Sequence, residues 1–350
     1  MTREELLESV RKGQVLERAC LDGVDLAGAE LGGGIFEGCT FVGARLQGAS
    51  FRESILTTCD FSDAVLEDAS LRQATFHGST FTRANFDGGD LTASKFLACD
   101  FSAATLRRAT LVVAQFLEAD LTNASLEGAN LDRFAVLSPR SCKALDVRRA
   151  RLKQTVILAA DLTSARFEGA RFELAVLNDC DLSGQDFRGM SLTLTQFSKT
   201  KLLGCNFSAA DVSQCNFHEA DLSDATFEGA TGKHVMFLGA KLLRTSFVKA
   251  SLQGSVFNEC IMAAGKCNDA ELRECMFQKA TVTASSFSAA DLSYADFSHA
   301  DISASDFSGA TLFRTRFHRS IEKDTVFTHR LLALGEDAAL AEAEDFVPKA

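Results

Sequence analysis

The chain has no tryptophan, one tyrosine and two prolines in 350 residues. Its 29 phenylalanines therefore make a core of one ring type with no polar handle. No run of about 18 apolar residues occurs, which excludes a membrane-spanning helix. The opening MTREELLESV is charged and lacks the apolar stretch of a signal peptide. Both absences point to the cytoplasm, unless a dedicated secretion machine exports the protein. Basic excess is absent too: the net charge of −11 speaks against holding DNA through its phosphates.

Eleven cysteines are present, but no CxxC pair. Eight of them (Cys39, Cys59, Cys99, Cys180, Cys205, Cys215, Cys260, Cys275) fall where alanine otherwise recurs. Coils stacked ~4.8 Å apart would bring Cys39 and Cys59 within disulfide reach, but buried cysteine behaves as a small hydrophobe. The pattern predicts packing thiols in a reducing compartment.

What is there is a period. From Leu16 to Phe327 every fifth residue is nearly always Leu or Phe, and the residue two before it is usually Ala, Cys, Ser or Thr. One stretch reads CDFSD, AVLED, ASLRQ, ATFHG, STFTR, ANFDG, GDLTA, SKFLA, CDFSA. Five matches neither the helical period of 3.6 nor the strand period of 2, so the chain must close on itself as a coil. The large central residue and the small one two before it point inward. From Phe187 to Phe317 the centres alternate Phe with aliphatic residues, interrupted at Cys267. Uniform stacks then require an even number of sides, hence four sides and twenty residues per coil.

The repeat resembles the pentapeptide-repeat family. That resemblance implies an all-β fold, a right-handed quadrilateral parallel β-helix, here with short helical caps at both ends. It implies little about function, since members do different things on one scaffold.

The centres run from 16 to 131 and then from 137 to 327. The parse ANLDR, F, AVLSP assigns the slip to one extra residue, Phe134. The expected organisation is a capping segment over 1–13, a first β-helix segment over 14–133, a second over 134–329 and a helical tail over 330–350. Thr2 and Glu5 make a capping box opening a helix over 3–12, ended by Gly13. The tail carries Leu331, Leu332, Leu334, Ala338 and Leu340 at helical spacing.

Chemistry is hard to find. His77, His218 and His318 follow centres on one face but lie several coils apart, and Ser298, Gln278 and Asn258 beside His318 are not a ligand set. EGATGKH lacks the first glycine and the Ser or Thr of a phosphate loop. Most carboxylates precede a centre, where the repeat itself favours Asp or Asn. No catalytic residue, cofactor or metal is expected, and the chain reads as a non-enzyme.

One face stands out. On the face with centres Leu16, Phe36 and Leu56, nine of the sixteen residues just before a centre are apolar, against five of 47 on the other three faces. β-propensity would act on all faces alike, so a one-sided stripe reads as a docking surface. The expected partner-binding residues are Ile35, Ile55, Leu97, Leu117, Val136, Val156, Leu158, Val176, Met236, Leu238, Val256 and Met276. A basic cluster (Arg140, Lys143, Arg148, Arg149, Arg151, Lys153) spreads over several faces and reads as solvated edges.

Two functions follow. The first is a protein–protein interaction scaffold that docks a partner or a second copy, through the apolar face or the C-terminal tail. The opening MTREELLESVRKGQ running into ACLDGVDLAGAEL resembles bacterial pentapeptide proteins associated with type VI secretion, which implies an effector or accessory component as partner. The second is a DNA mimic that binds gyrase, as quinolone-resistance pentapeptide proteins do. Mixed charge and greater length favour the scaffold, with no direct nucleic-acid or membrane contact.

Overall fold

The computed structural model describes residues 1–346. It divides into two compact units, Met1–Asp181 and Leu182–Ala350, the second described as far as residue 346. Each is a four-sided parallel β-helix. In the first, residues twenty apart pair on every side: Cys20 with Thr40, Asp25 with Arg45, Glu30 with Ser50 and Ile35 with Ile55. In the second the same offset joins Asp186 to Asn206, Ser191 to Asp211, Gln196 to Asn216 and Lys201 to Asp221.

The repeat closes because of its corners. At most corners the residue two past the centre is left-handed, whether Gly23 (φ +65°), Asp63 (φ +58°) or Arg83 (φ +59°). Side chains other than glycine's resist that conformation, so something must hold it. Its amide does: Gly23 N–H donates to Val42 O at 2.8 Å, and Asp63 N–H to Thr82 O at 3.0 Å. The next amide turns back to the centre, as Ala44 N–H does to Phe41 O at 3.0 Å. Asp or Asn before a centre supports the same corner by accepting from the amide two residues on, as Asp60 Oδ1 does from Ser62 N–H at 2.8 Å.

The small inward position has its own logic. At many polar examples the side chain donates to the carbonyl of a centre 23 residues earlier: Cys39 Sγ to Leu16 O at 3.1 Å, Ser54 Oγ to Leu31 O at 2.9 Å, Cys215 Sγ to Leu192 O at 2.9 Å. Ala, Ser, Thr and Cys are interchangeable there because each is small and the polar ones mostly find a buried carbonyl acceptor, Thr195 being an exception.

In the first unit α1 (Arg3–Arg11) carries the full Thr2–Glu5 capping box and buries Leu6 and Val10 against the first coil. One face then forms a continuous parallel sheet of β1 (Val15–Glu17), β2 (Ile35–Glu37), β3 (Ile55–Thr57), β4 (Thr75–His77), β5 (Lys95–Leu97), β6 (Gln115–Leu117), β7 (Ala135–Leu137) and β9 (Val156–Leu158). On another face β8 (Arg151–Lys153) pairs with β10 (Arg171–Glu173).

The register change differs from the sequence reading. Phe116 pairs with Val136, still twenty apart, while Asp120 bridges Ser141, twenty-one apart. The added residue therefore lies in the corner Ser138-Pro139-Arg140, where Arg140 N–H keeps the ladder by donating to Ala119 O at 2.8 Å. Phe134 is not extra. It fills the small inward position, 2% exposed, with its ring 5.1 Å from Phe116. A large residue fits because the next two centres, Val136 and Cys142, are small, and Leu145 fills space beside Cys142 in the same way. The change sits inside the first unit, away from the division between Asp181 and Leu182.

The second unit is built on two phenylalanine columns that touch edge to face. Phe227 and Phe247 stack at 5.0 Å and 16°, and Phe237 meets Phe247 at 5.6 Å and 81°. Two strands, β11 (Asp306–Phe307) and β12 (Val326–Phe327), pair near its end. Beyond them the chain adds one more rung, with Leu334 bridged to Arg316, and then forms α2 (Ala338–Glu344). The last four residues of the expected helical tail lie outside the described residues.

Phe247 is 0% exposed, and Phe247→Ala should cost about 3–5 kcal/mol, read from the denaturation midpoint; a loss under ~1 kcal/mol would contradict this packing. Deleting Arg140 should restore the twenty-residue offset and leave the melting temperature nearly unchanged. Deleting Phe134 should lower it strongly, since a core side chain goes and the following register moves inward to outward.

Candidate functional site

The eight-stranded sheet of the first unit is the face the sequence marked as apolar. Outward residues stack there on successive coils as two ladders. One is Val15, Ile35 and Ile55, exposed by 50%, 38% and 50%. The other is Leu97, Leu117, Leu137 and Leu158, in register through β5, β6, β7 and β9. Leu97 and Leu117 are exposed; Leu137 and Leu158 are half-buried, beside Ala135, Val156 and Val176. Thr75 and Lys95 interrupt the first row, so the stripe is two ladders and not one.

Val136 has to be removed from the expected set. It points inward, 1% exposed, over Phe116 and Ile157. The cause is the position of the register change: a shift of one residue exchanges inward for outward along a strand. Leu137, which the sequence reading placed in the core, is the outward member instead. In the second unit Met236, Val256 and Met276 form a third ladder, with Leu238 half-buried alongside.

Val113, Leu174, Leu203, Ile261, Tyr294 and Phe313 are exposed singly, and further apolar exposure lies near the end of the second unit: Ile321, Val326, Leu331, Leu332, Leu340 and Phe346, with Leu331 at 95%. The sequence signal was the loss of repeat after Phe327.

Charged groups are mostly occupied. Carboxylates before centres turn to their own backbone, as Asp120 does to Thr122 N–H at 2.9 Å and Asp301 to Ser303 N–H at 3.0 Å. Others pair between coils, Asp63 with Arg83 and Asp224 with Arg244, each at 2.6 Å. The basic cluster converges partly on Asp146, whose buried carboxylate accepts from Arg148 at 2.8 Å and Arg166 at 2.7 Å. Burial pushes that carboxyl's pKa up, but the Arg148 hydrogen bonds and the Arg166 charge outweigh it and hold the group below its ordinary value.

All eleven cysteines are free thiols, and only Cys20 is exposed. Burial pushes Cys99 and Cys180 up to about 11, and Cys260 and Cys275 up to about 12. The hydrogen bond between neighbouring Cys39 and Cys59 splits the pair, lowering Cys39 to about 7 and, with burial, raising Cys59. The raised thiols stay protonated and serve as packing.

One cluster was missed by sequence reasoning. His299 and His318 lie on adjacent coils, and α2 brings Glu344 between them. His299 Nε2 is 3.2 Å from Glu344 Oε1, and His318 Nε2 is 3.3 Å from Oε2. Among the described residues, these are the only three side chains of ligand type whose donor atoms approach closely enough to share an ion. The residues compared with His318 in its own column were the wrong neighbours. His299 is displaced by one position, and Glu344 comes from outside the repeat, where spacing carries no information.

The model of the pentapeptide repeat region matches residues 29–100 and 250–327, and that of pentapeptide repeats in eight copies matches 99–134 and segments between 158 and 247. The chain belongs to the pentapeptide-repeat family. No curated protein matches the sequence. Solved structures in the family include HetL from Nostoc sp. strain PCC 7120, involved in heterocyst differentiation regulation. It is 20% identical over 78% of this chain and 97% of that one, with a TM-score of 0.23. A thylakoid-lumen protein of Arabidopsis thaliana is 26% identical over 34% of this chain and 73% of its own, at 0.20. Trypsin-treated QnrB1, a plasmid-mediated fluoroquinolone resistance protein, is 19% identical over 66% and 83%, at 0.20. Among the described residues no helix is long and apolar enough to cross a membrane.

Asp146→Ala strands two arginines and should cost about 1.5–3 kcal/mol, the range for hydrogen bonds to charged groups. Because the folded pKa is lowered, the wild-type contribution is complete above the ordinary value of 3.8 and disappears as pH falls through the lower folded value. Denaturation midpoints of the two proteins should therefore differ equally at pH 7 and pH 5 and converge only in stronger acid.

Proposed function

We propose that this chain is a non-enzymatic protein-binding scaffold, and that its principal docking surface is the leucine ladder of the first unit. The observation that supports it is asymmetry. Four leucines stack in register on one face, next to Ala135, Val156 and Val176, while the other outward columns are mostly polar or charged. Their inward neighbours Phe96, Phe116, Val136 and Ile157 already complete the core. The ladder is thus dispensable for folding, and an apolar row facing water is a binding feature. Ile35, Ile55, Met236, Val256 and Met276 extend the apolar contacts available on each unit. The partner proposed from the N-terminal resemblance is a type VI secretion effector or accessory component, met in the cytoplasm.

The gyrase-mimic alternative calls for an unbroken row of free negative charge. Here the regularly spaced carboxylates are directed at backbone amides or paired with Arg and Lys. Self-association is a second reading of the same binding role. It is favoured by the exposure of Leu331, Leu332 and Phe346 in the segment after the repeats.

The double variant Leu117→Lys/Leu158→Lys should keep its melting temperature, because surface changes usually stay within ~0.5 kcal/mol. It should lose partner capture in pull-downs from the native host. Leu331→Lys/Phe346→Lys should leave capture intact and, if copies associate through the tail, convert the dimer seen by light scattering to a monomer. Capture that survives the leucine changes would place the docking surface elsewhere. Inhibition of supercoiling in a gyrase assay would replace the scaffold reading with the mimic.

A further inference from the structure

We propose that His299, His318 and Glu344 form a binding site for a divalent transition metal of the zinc class, one that fastens α2 to the coils of the second unit. The donor set is two imidazole nitrogens and a carboxylate, all within 4.8 Å of one another. The contacts of 3.2 and 3.3 Å between each Nε2 and a Glu344 oxygen are close to the roughly 3.3 Å that separates ligand atoms around a tetrahedral ion with bonds near 2.0–2.1 Å. Nitrogen donors disfavour Mg2+ and Ca2+, which take oxygen, and favour Zn2+ or Co2+. Three protein ligands leave a fourth position for water.

The surroundings suit a cation. Among the described residues, Glu336, Asp337, Glu344 and Asp345 gather there beside Arg319 and Arg316. Arg319 also positions the glutamate: its guanidinium donates to Ala341 O at 2.9 Å and to Asp345 Oδ2 at 2.6 Å, and lies 3.4 Å from Glu344 Oε2. His318 is fully buried, while His299 and Glu344 remain about one-third exposed in their side chains, which gives an ion an entry path.

One contact must change. Asp337 N–H donates to His318 Nδ1 at 3.1 Å, which puts the ring proton on Nε2, facing Glu344. Coordination through Nε2 moves that proton to Nδ1 and opens the Asp337 contact. The three coordination bonds must outweigh the lost contact and the buried Nδ1 proton.

The test uses full-length, tag-free protein treated with EDTA, with Cys20→Ser removing the one exposed thiol. Titration with Co2+ should give the visible bands of a four-coordinate ion, and Zn2+ should displace it at one per chain. His299→Ala and Glu344→Gln should each weaken Zn2+ binding at least tenfold while melting like the parent in EDTA. Zn2+ should also slow proteolysis of the segment following residue 330 in the parent but not in the variants. Absence of binding below millimolar Zn2+, or binding that both substitutions leave unchanged, would overturn the site.

Discussion

At most corners the amide of a left-handed residue donates to the coil above, and the architecture of both units depends on that bond. The bond compels the chain to turn after five residues, and four turns return it to a position one strand spacing away. Arg83 and Asp63 hold φ near +59° and +58° while their amides donate to the next coil, Arg83 N–H to Ser102 O at 2.9 Å and Asp63 N–H to Thr82 O at 3.0 Å. The corner thus explains why the repeat restricts two positions of five by volume and leaves the others open. A backbone constraint, satisfied independently of side-chain identity, permits outward residues to vary without loss of fold.

Volume is the second constraint, and it is conserved locally more than position by position. At Gly232 an added Cβ would stand 2.9 Å from both Val212 and Val235, and Val235 occupies the position where a small residue is usual. Cys142 with Leu145 repeats the exchange. Met262 with Gly265 reverses it: a Cβ on the glycine would meet Met262 Cγ at 2.5 Å. A large centre takes a small neighbour and a small centre a large one, so that the coil interior stays close-packed. The gaps at Gly232 and Cys142 are these exchanges, not interruptions of the β-helix.

The same principle shows what the sequence could and could not disclose. Coil length, side number, the inward rows, the phenylalanine columns and the N-terminal capping box were legible because each is periodic or local. The position of the register change was not. Phe134 reads as an intruder if every small position must be small, and Val136 then falls outward with Leu137 inward. Pairing of Phe116 with Val136 settles the alternative, and nothing in the five-residue pattern ranks the two parses, since both leave a single residue over. The histidine cluster was illegible for a different reason. Glu344 reaches His299 and His318 from a segment without repeat, and only tertiary placement of α2 brings the three together.

Function in such a fold must reside where the corner bond and the packed interior impose nothing. Among outward positions, those before a centre are partly claimed as well, because Asp and Asn there support the corner. An apolar residue at that position gives up a backbone hydrogen bond, as Ile35 and Ile55 do where Asp60 and Asp120 accept one. The leucines after the centres face no such loss, yet they gain nothing for the core. A ladder such as Leu97 to Leu158 is therefore neither required by the fold nor favoured by hydration. Its concentration on the face that forms a continuous eight-stranded sheet couples an apolar row to an unbroken run of paired backbone in the first unit, so that the row extends over several coils at once.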